Sequence, residues 1–528
     1  MVTRIKARSI TQPVTDAVLP AAKMAQKTVR RAARVVQKNV SDAVGGTLGL
    51  TGERMSKVDT AWLRMDSASN LMMIVGVWIL QPGVSYKAVC ERIEERLLKY
   101  PRFGQRVQQD AAGATWVTDQ DFDIKRHVVI EKLGARSKGR EQLALQERLA
   151  ELAVQPLDMN RPLWQFHLIE HYQGGSALLV RIHHCIADGI ALISVTQSLV
   201  DGGAMPPQRR SKALPHGGLE GAEDWLMDTF IKPFTDVTVK ALGAAGDGAV
   251  NAVGMMLGPQ KGMEKGVAGS VELAKMVYQV LRDGAALALM PDDSPTRLKG
   301  LPGQTKRVAW CEPIPLEEVK AVGRALNCSI NDILLSCVAG AIAEYLKSFD
   351  DEVAGKEIRA MVPVNLRPLE EAYKLGNRFG LAPVVLPIGI ENPVERVYEV
   401  RRRMSQLKGS MQPLMAFGLL SVAGLLIKPA QDAMLSLFSK KTTAVMTNVP
   451  GPREKLKFCG STLEQSLFWV PQSGTVGLGV SILSYGGGVQ FGVISDSTLC
   501  PEPQKIIDQF EPEFAKLAMV TLMLPWSD

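Results

Sequence analysis

The chain has 528 residues, of which 46% are hydrophobic and 22% charged; these are globular values, and the length exceeds one ordinary core, so two domains with additions are expected. The net charge is +7, but nine basic and two acidic residues fall in 1–50, leaving 52 of each sign in the remainder. A neutral body has no basic face to set against phosphates, which excludes a nucleic-acid-binding body, and seven scattered cysteines without a CxxC pair point to a reducing compartment and away from a zinc site.

Residues 1–50 read as a basic amphipathic extension. Val18, Ala22, Ala25, Val29, Ala32, Ala33, Val36 and Val40 recur at helical steps, and Lys23, Lys27, Arg30, Arg31, Arg34 and Lys38 recur about two positions away, which puts the two stripes on opposite sides of a helix. That pattern suits an anionic membrane or lipid surface; a solvated extension fits the same residues. No continuous apolar segment of secretory type follows the basic start.

A first lobe is expected over 55–200. Residues 71–80, LMMIVGVWIL, form a strand, Ser85 to Leu98 a helix stopped at Tyr100-Pro101, and Arg140 to Ala153 a second amphipathic helix. Trp164 to Ile169 begins a strand, Tyr172 to Gly175 turns, and Ala177 to Ile182 forms the next strand. A helix follows from Gly189. His183, His184, Asp188 and Gly189 therefore sit at a strand-to-helix corner, where a fixed backbone can hold chemistry at a cleft. Histidine exchanges protons near neutral pH without special tuning, and neighbours on a strand point to opposite faces. One histidine is expected to face the cleft while the other, with Asp188, fixes the corner; two structural histidines remain the plain alternative.

Residues 201–305 read as a crossover, with a polar loop and then Ala/Gly/Met-rich helical stretches from about 223 to 288. A second lobe is expected over 306–525: helices at 316–326 and 331–347, strands at 358–364, 384–390, 443–449, 475–484 and 489–495, and a hairpin turn at 485–488. Ser329 to Asp332 is a capping sequence. Asn365, Arg367, Asn377 and Arg378 lie in the loops as polar candidates for the cleft. Residues 409–427 are uncharged but hold only about 14 apolar positions, short of the roughly 20 needed to span a bilayer, so a buried or interfacial helix is expected. No GxSxG, GxGxxG or Walker A pattern occurs, so neither a serine hydrolase nor a nucleotide cofactor is implied.

His183-His184-Cys185-Ile186-Ala187-Asp188-Gly189 is an HHxxxDG motif and resembles the active-site signature of the chloramphenicol acetyltransferase and condensation-domain superfamily. With Pro162-Leu163-Trp164, Asn331-Asp332 and Thr447-Asn448-Val449-Pro450-Gly451-Pro452 in this order, the chain more narrowly resembles the bacterial wax ester synthase/acyl-CoA:diacylglycerol acyltransferases, from about Lys57 to Val520. Cys185 and Leu334 depart from the residues most usual in those blocks and keep their size and apolarity. The resemblance implies an α/β fold of two acetyltransferase-like lobes, mixed sheets with flanking helices joined by a helical crossover. It implies transfer of a long-chain acyl group from acyl-CoA to a fatty alcohol or diacylglycerol, with His184 as general base, His183 supporting, Asp188 structural through an unidentified ion-pair partner, and Gly189 leaving space. Pro162, Leu163, Trp164, Asn331 and Asp332 would line the tunnel between lobes, although the residues themselves suit Trp164 to core packing more than to a ligand platform and suit Asn331 and Asp332 at least as well to a helix cap. No cofactor or metal is implied, only acyl-CoA as substrate. A cytoplasmic enzyme peripheral to the inner membrane or to lipid inclusions is expected. The rivals are a condensation enzyme using a carrier-bound acyl group and a non-catalytic inclusion protein.

Overall fold

The structure is a computed structural model that describes residues 52–203, 292–407 and 439–523 apart from 111–112, 135–137 and 368–373, together with residues 416, 431 and 432. The amphipathic arm, the helices expected at 223–288 and, apart from residue 416, the apolar stretch 409–427 lie outside the described residues. Among those described, no single helix is long and apolar enough to cross a membrane.

Three sheets form. The first has six strands in the order Lys457–Phe458, Ser461–Trp469, Met73–Gln81, Gly175–His183, Trp164–Tyr172 and Val128–Glu131. Met73–Gln81 is buried along all but its last residue, because both faces of the sheet are covered, and a strand covered on both faces reads as a continuous apolar run. Val75, Val77 and Ile79 pack with Leu145, Leu149 and Leu152 of the Lys138–Ala153 helix. Ile74, Gly76 and Trp78 face the other way, into a cavity. The second sheet runs Phe379–Leu386, Ile358–Asn365, Ala444–Pro450, Leu478–Tyr485, Gly488–Asp496 and Lys306–Trp310, with Ile314–Pro315 also on Gly488–Asp496. Its core is closed by the helices Leu316–Ala325, Ile330–Lys347, Pro393–Leu407 and Gln504–Leu522. A three-stranded sheet of Glu53–Arg54, Gly113–Thr118 and Gln105–Asp110 flanks the first lobe.

Two expectations need correction. The strand expected at 384–390 lies at Phe379–Leu386; Gly380 and Pro383 mask it in sequence, yet proline is tolerated because among the described strands it pairs with Ile358–Asn365 alone. Residues 457–469, placed by sequence in the second lobe, belong to the first sheet, with Leu467 paired to Val77 and Trp469 to Val75. The first lobe's cavity wall is therefore built partly from the far end of the chain.

Candidate active site

The histidine strand Gly175–His183 ends at the corner, and Gly189–Leu199 begins a helix capped by Asp188, whose Oδ1 accepts from the Ala191 amide at 2.9 Å. His184 is fixed between them: its amide donates to Met72 O at 2.7 Å, and its ring stacks on Trp62 at 4.3 Å between centroids, with Phe379 at 5.4 Å. Nδ1 lies 2.8 Å from Asn377 Oδ1. That contact leaves Nε2 as the nitrogen available to a substrate. Burial dominates the ring's acidity; it pulls the His184 pKa down to about 4, with hydrogen bonds to the residue's own backbone and to Asn377 acting against it and the neighbouring His183 in the same direction. The imidazole is neutral throughout the physiological range.

His183 faces away. Its amide donates to Leu163 O at 2.9 Å, its Nδ1 accepts from the Cys185 amide at 3.1 Å, and Nε2 lies 3.4 Å from Asp66. Burial opposes a charge here too, but Cys185 and the Asp66 carboxylate outweigh it and raise the pKa to about 10. The Cys185 amide calls for an unprotonated Nδ1, whereas these neighbours favour the imidazolium; in either state a proton sits at Nε2, towards Asp66. Two adjacent histidines thus occupy opposite electrostatic settings: the surroundings of His184 favour its neutral form and those of His183 its protonated form.

Asp188 finds its partner in Arg367, whose Nη2 donates to Oδ2 at 2.9 Å; the Arg378 amide donates to the same oxygen at 2.9 Å. With the Ala191 amide on Oδ1, three donors from two lobes hold this carboxylate at the corner. Gly376, at φ +102°, presses close to Asp59, where an added Cβ would meet Oδ2 at 3.4 Å. The Gly376 amide donates to Ile186 O at 3.0 Å, and Gly376 O accepts from Arg367 Nη2 at 2.6 Å. The loop Gly376–Arg378 of the second lobe is thereby bound to the histidine corner of the first. Asn377, at its centre, donates from Nδ2 to Asp59 Oδ1 at 2.8 Å and to His184 O at 2.7 Å.

His184, Asp188, Gly189, Asn365, Phe379, Thr447 and Asn448 line a cavity of about 680 Å³. A Cβ on Gly189 would meet nothing within 4 Å, so this glycine does leave open space beside the ring. Gly189, Pro450, Phe468 and Val470 also border a second, apolar cavity of about 1060 Å³, walled by Ile74, Trp78, Val180, Ile182, Leu192 and Leu467.

The remaining expected site residues lie behind these walls. Pro162, Leu163 and Trp164 do not line either cavity: Trp164 is packed among Phe103, Phe122, His127 and Phe166, and its Nε1 donates to Phe103 O at 2.8 Å. With its one polar atom satisfied internally, the indole has no reason to face a tunnel. This block supports the histidine strand from behind. Asp332 forms a reciprocal capping box with Ser329. Asn331 is buried one step back, its Oδ1 accepting from the cavity residue Asn448. Asp59, Trp62, Asp66 and Phe379 were not singled out in sequence. The Ser56-x-x-Asp59 spacing was the available signal, since Ser56 caps the Lys57–Arg64 helix that carries Asp59 and Trp62. Among the described residues no cluster could hold a metal ion.

Residues 55–334 match the family model described as the wax ester synthase/diacylglycerol acyltransferase catalytic domain, and residues 375–518 match the WS/DGAT C-terminal domain. A probable diacylglycerol O-acyltransferase of Mycobacterium tuberculosis strain H37Rv is 27% identical over 451 residues, covering 83% of this chain and 89% of that protein. In fold, the chain is similar to the wax ester synthase/diacylglycerol acyltransferase from Marinobacter aquaeolei VT8, with a TM-score of 0.59 at 18% identity over 89% of this chain and 99% of that one. It is also similar to the first condensation domain of the calcium-dependent antibiotic synthetase, with a TM-score of 0.52 at 14% identity over 90% and 97% of the two chains.

Proposed function

The chain belongs to the wax ester synthase/diacylglycerol acyltransferase family, and from that premise we infer that it transfers a long-chain acyl group from acyl-CoA to the hydroxyl of a diacylglycerol or fatty alcohol, with His184 as general base. The observation that carries this reading is a buried neutral imidazole, its Nδ1 engaged and its Nε2 left for substrate, in a cavity that adjoins a larger apolar one. The apolar cavity suits an acyl chain, since Ile74, Trp78, Ile182 and Leu192 form part of a mainly apolar wall in which Thr196, Gln197, Ser466 and Tyr485 are the polar side chains.

Nε2 removes the hydroxyl proton as the oxygen attacks the thioester carbonyl. The tetrahedral oxyanion then collapses, the carbon–sulfur bond breaks, and the imidazolium returns the proton to the departing CoA thiolate. Asn448, held by Asn331, is the polar side chain proposed to meet the oxyanion. The attack is direct: no acyl-enzyme forms, Cys185 is wholly buried, and no cofactor takes part. The test is thiol release from palmitoyl-CoA with a long-chain alcohol, a diacylglycerol or no acceptor. His184→Ala is expected to lower acceptor-dependent release by about 10² to 10⁴, the usual contribution of a general base; a wild-type rate in that variant contradicts the assignment.

The basic arm supports a location at anionic membrane or lipid inclusions, since each basic side chain near such a surface contributes roughly 1 kcal/mol. Deleting residues 1–45 is expected to lower binding to anionic liposomes at low salt while leaving turnover of detergent-dispersed substrate intact.

A further inference from the structure

We propose that Asp59 and Asn377 form a positioning relay that fixes the tautomer of His184, with the proton at Nδ1 and the lone pair at Nε2. The proposal rests on His184 being the base, and it concerns how the ring is kept ready. The two ends of an asparagine amide are nearly alike in shape and opposite in hydrogen bonding, so its orientation is decided by its neighbours. Here the neighbours leave one choice. Asp59 Oδ1 accepts from both the Asn377 amide nitrogen at 3.0 Å and Nδ2 at 2.8 Å, and the His184 carbonyl accepts from Nδ2 at 2.7 Å. Nδ2 must therefore face two acceptors, which turns Oδ1 towards His184 Nδ1 at 2.8 Å. An acceptor facing Nδ1 requires a proton there.

If the amide turned over, Nδ2 would face Nδ1, the ring proton would move to Nε2, and the base would be blocked. Asp59 opposes this by holding the amide, and the hydrogen bond of the ring with its own backbone acts in the same sense. The Asp59 pKa is raised by burial, against the bonds from Asn377 and Ser56 and the charge of Arg102 at 3.7 Å, but Oδ1 accepts whether or not Oδ2 carries a proton. A neutral amide at Nδ1 also differs in effect from a carboxylate there: it sets the tautomer without drawing a second proton onto the ring, and the base stays neutral far below pH 7.

The charged groups facing His184 are His183 beside it, with Asp66 on its far side, Asp188 with Arg367 and the Arg378 amide from the second-lobe loop, and Asp59 with Arg102 behind Asn377. Among these, Asn377 alone makes a side-chain hydrogen bond to the His184 ring.

The experiment is kcat and KM for acceptor-dependent CoA release by the full chain from about pH 5 to 9, with unfolding temperatures recorded for each variant. Asn377→Leu is expected to lower kcat about 100-fold with KM within about 3-fold, since a wrongly set tautomer in a histidine base is known to cost up to about 10⁴. Asp59→Ala is expected to follow it, whereas Asp59→Asn, which keeps an acceptor oxygen, retains most of the rate. Asn377→Asp is nearly isosteric and places a carboxylate against Nδ1. It is expected to move the acid limb of the profile up by about one unit or more, into the measured range, where the wild type is flat. Wild-type rates and pH dependence in Asn377→Leu and Asn377→Asp, together with an inactive His184→Ala, overturn the relay and leave the base in place. A fully active His184→Ala removes both.

Discussion

Two ion pairs are buried in this molecule to the same degree, and they do different work. Asp188–Arg367 and Glu513–Arg396 are each less than 5% exposed at both side chains. Arg396 and Glu513 come from two helices of one core; Arg396 also donates to Ser336 O and Ile390 O at 3.1 Å, and Gly340 leaves the room, since a Cβ there would meet Glu513 Oε2 at 2.1 Å. Asp188 and Arg367 come from different lobes, and the residues bound with them are Gly376 and Arg378 on either side of Asn377. A buried pair adds little net stability, because desolvation offsets most of the Coulomb attraction. What it holds in place matters more. One pair holds helices, and the other holds the residue that touches the His184 imidazole.

Breaking each pair sharpens the contrast. Arg367→Met is expected to cost about 100-fold in kcat/KM, because a shift of about 1 Å at a positioning loop has effects of that size, and to lower stability as well. Glu513→Gln leaves Arg396 charged and unpaired, at a cost of about 3 kcal/mol measured by denaturant unfolding, with kcat within about 2-fold of wild type. A large kinetic defect in Glu513→Gln would break the comparison. Gly340→Ala forces a methyl group into the second pair and is expected to destabilise by about 1–3 kcal/mol, again without a kinetic effect.

Acid probes the His184 ring. His184 has a folded pKa of about 4 against 6.5 for the free side chain, so the unfolded chain takes up a proton between these values that the folded chain refuses. The contribution is fully present above pH 6.5 and lost as pH falls towards 4, on the order of 3 kcal/mol in all. His184→Gln is expected to flatten that part of the wild-type stability profile; an unchanged slope would contradict the buried neutral ring. The smallest effect is at Cys185. Cys185→Ala is expected to keep activity within about 3-fold, with no acyl adduct seen by mass spectrometry, since the thiol is buried and interacts with His183 rather than with the His184 ring.

The strands at 73–81 and 175–183 were legible because burial on both faces writes a long apolar run, and His184 was legible because the corner follows such a run. Ser461–Trp469 was not: its alternating STLEQSLFW shows a strand but not that it crosses to the other lobe's sheet. Arg367 and Asn377 could be named as polar loop residues, yet their partners lie 179 and 193 positions away, and spacing carries no information over that distance. Asp59 and Trp62 sit on an eight-residue helix, too short for periodicity to reveal. Trp164 was legible as core packing from the residues themselves, and burial of its one polar atom bears that out against the tunnel wall that the motif implied.

The Asp188–Arg367 pair is expected to act on turnover by delivering Asn377 to His184. A double-mutant cycle of Arg367→Met and Asn377→Leu on kcat/KM tests it directly. If the pair works through Asn377, the double variant is about as slow as the slower single variant. If the two losses multiply, to about 10⁴-fold in all, Arg367 and Asn377 act separately and the claim is wrong.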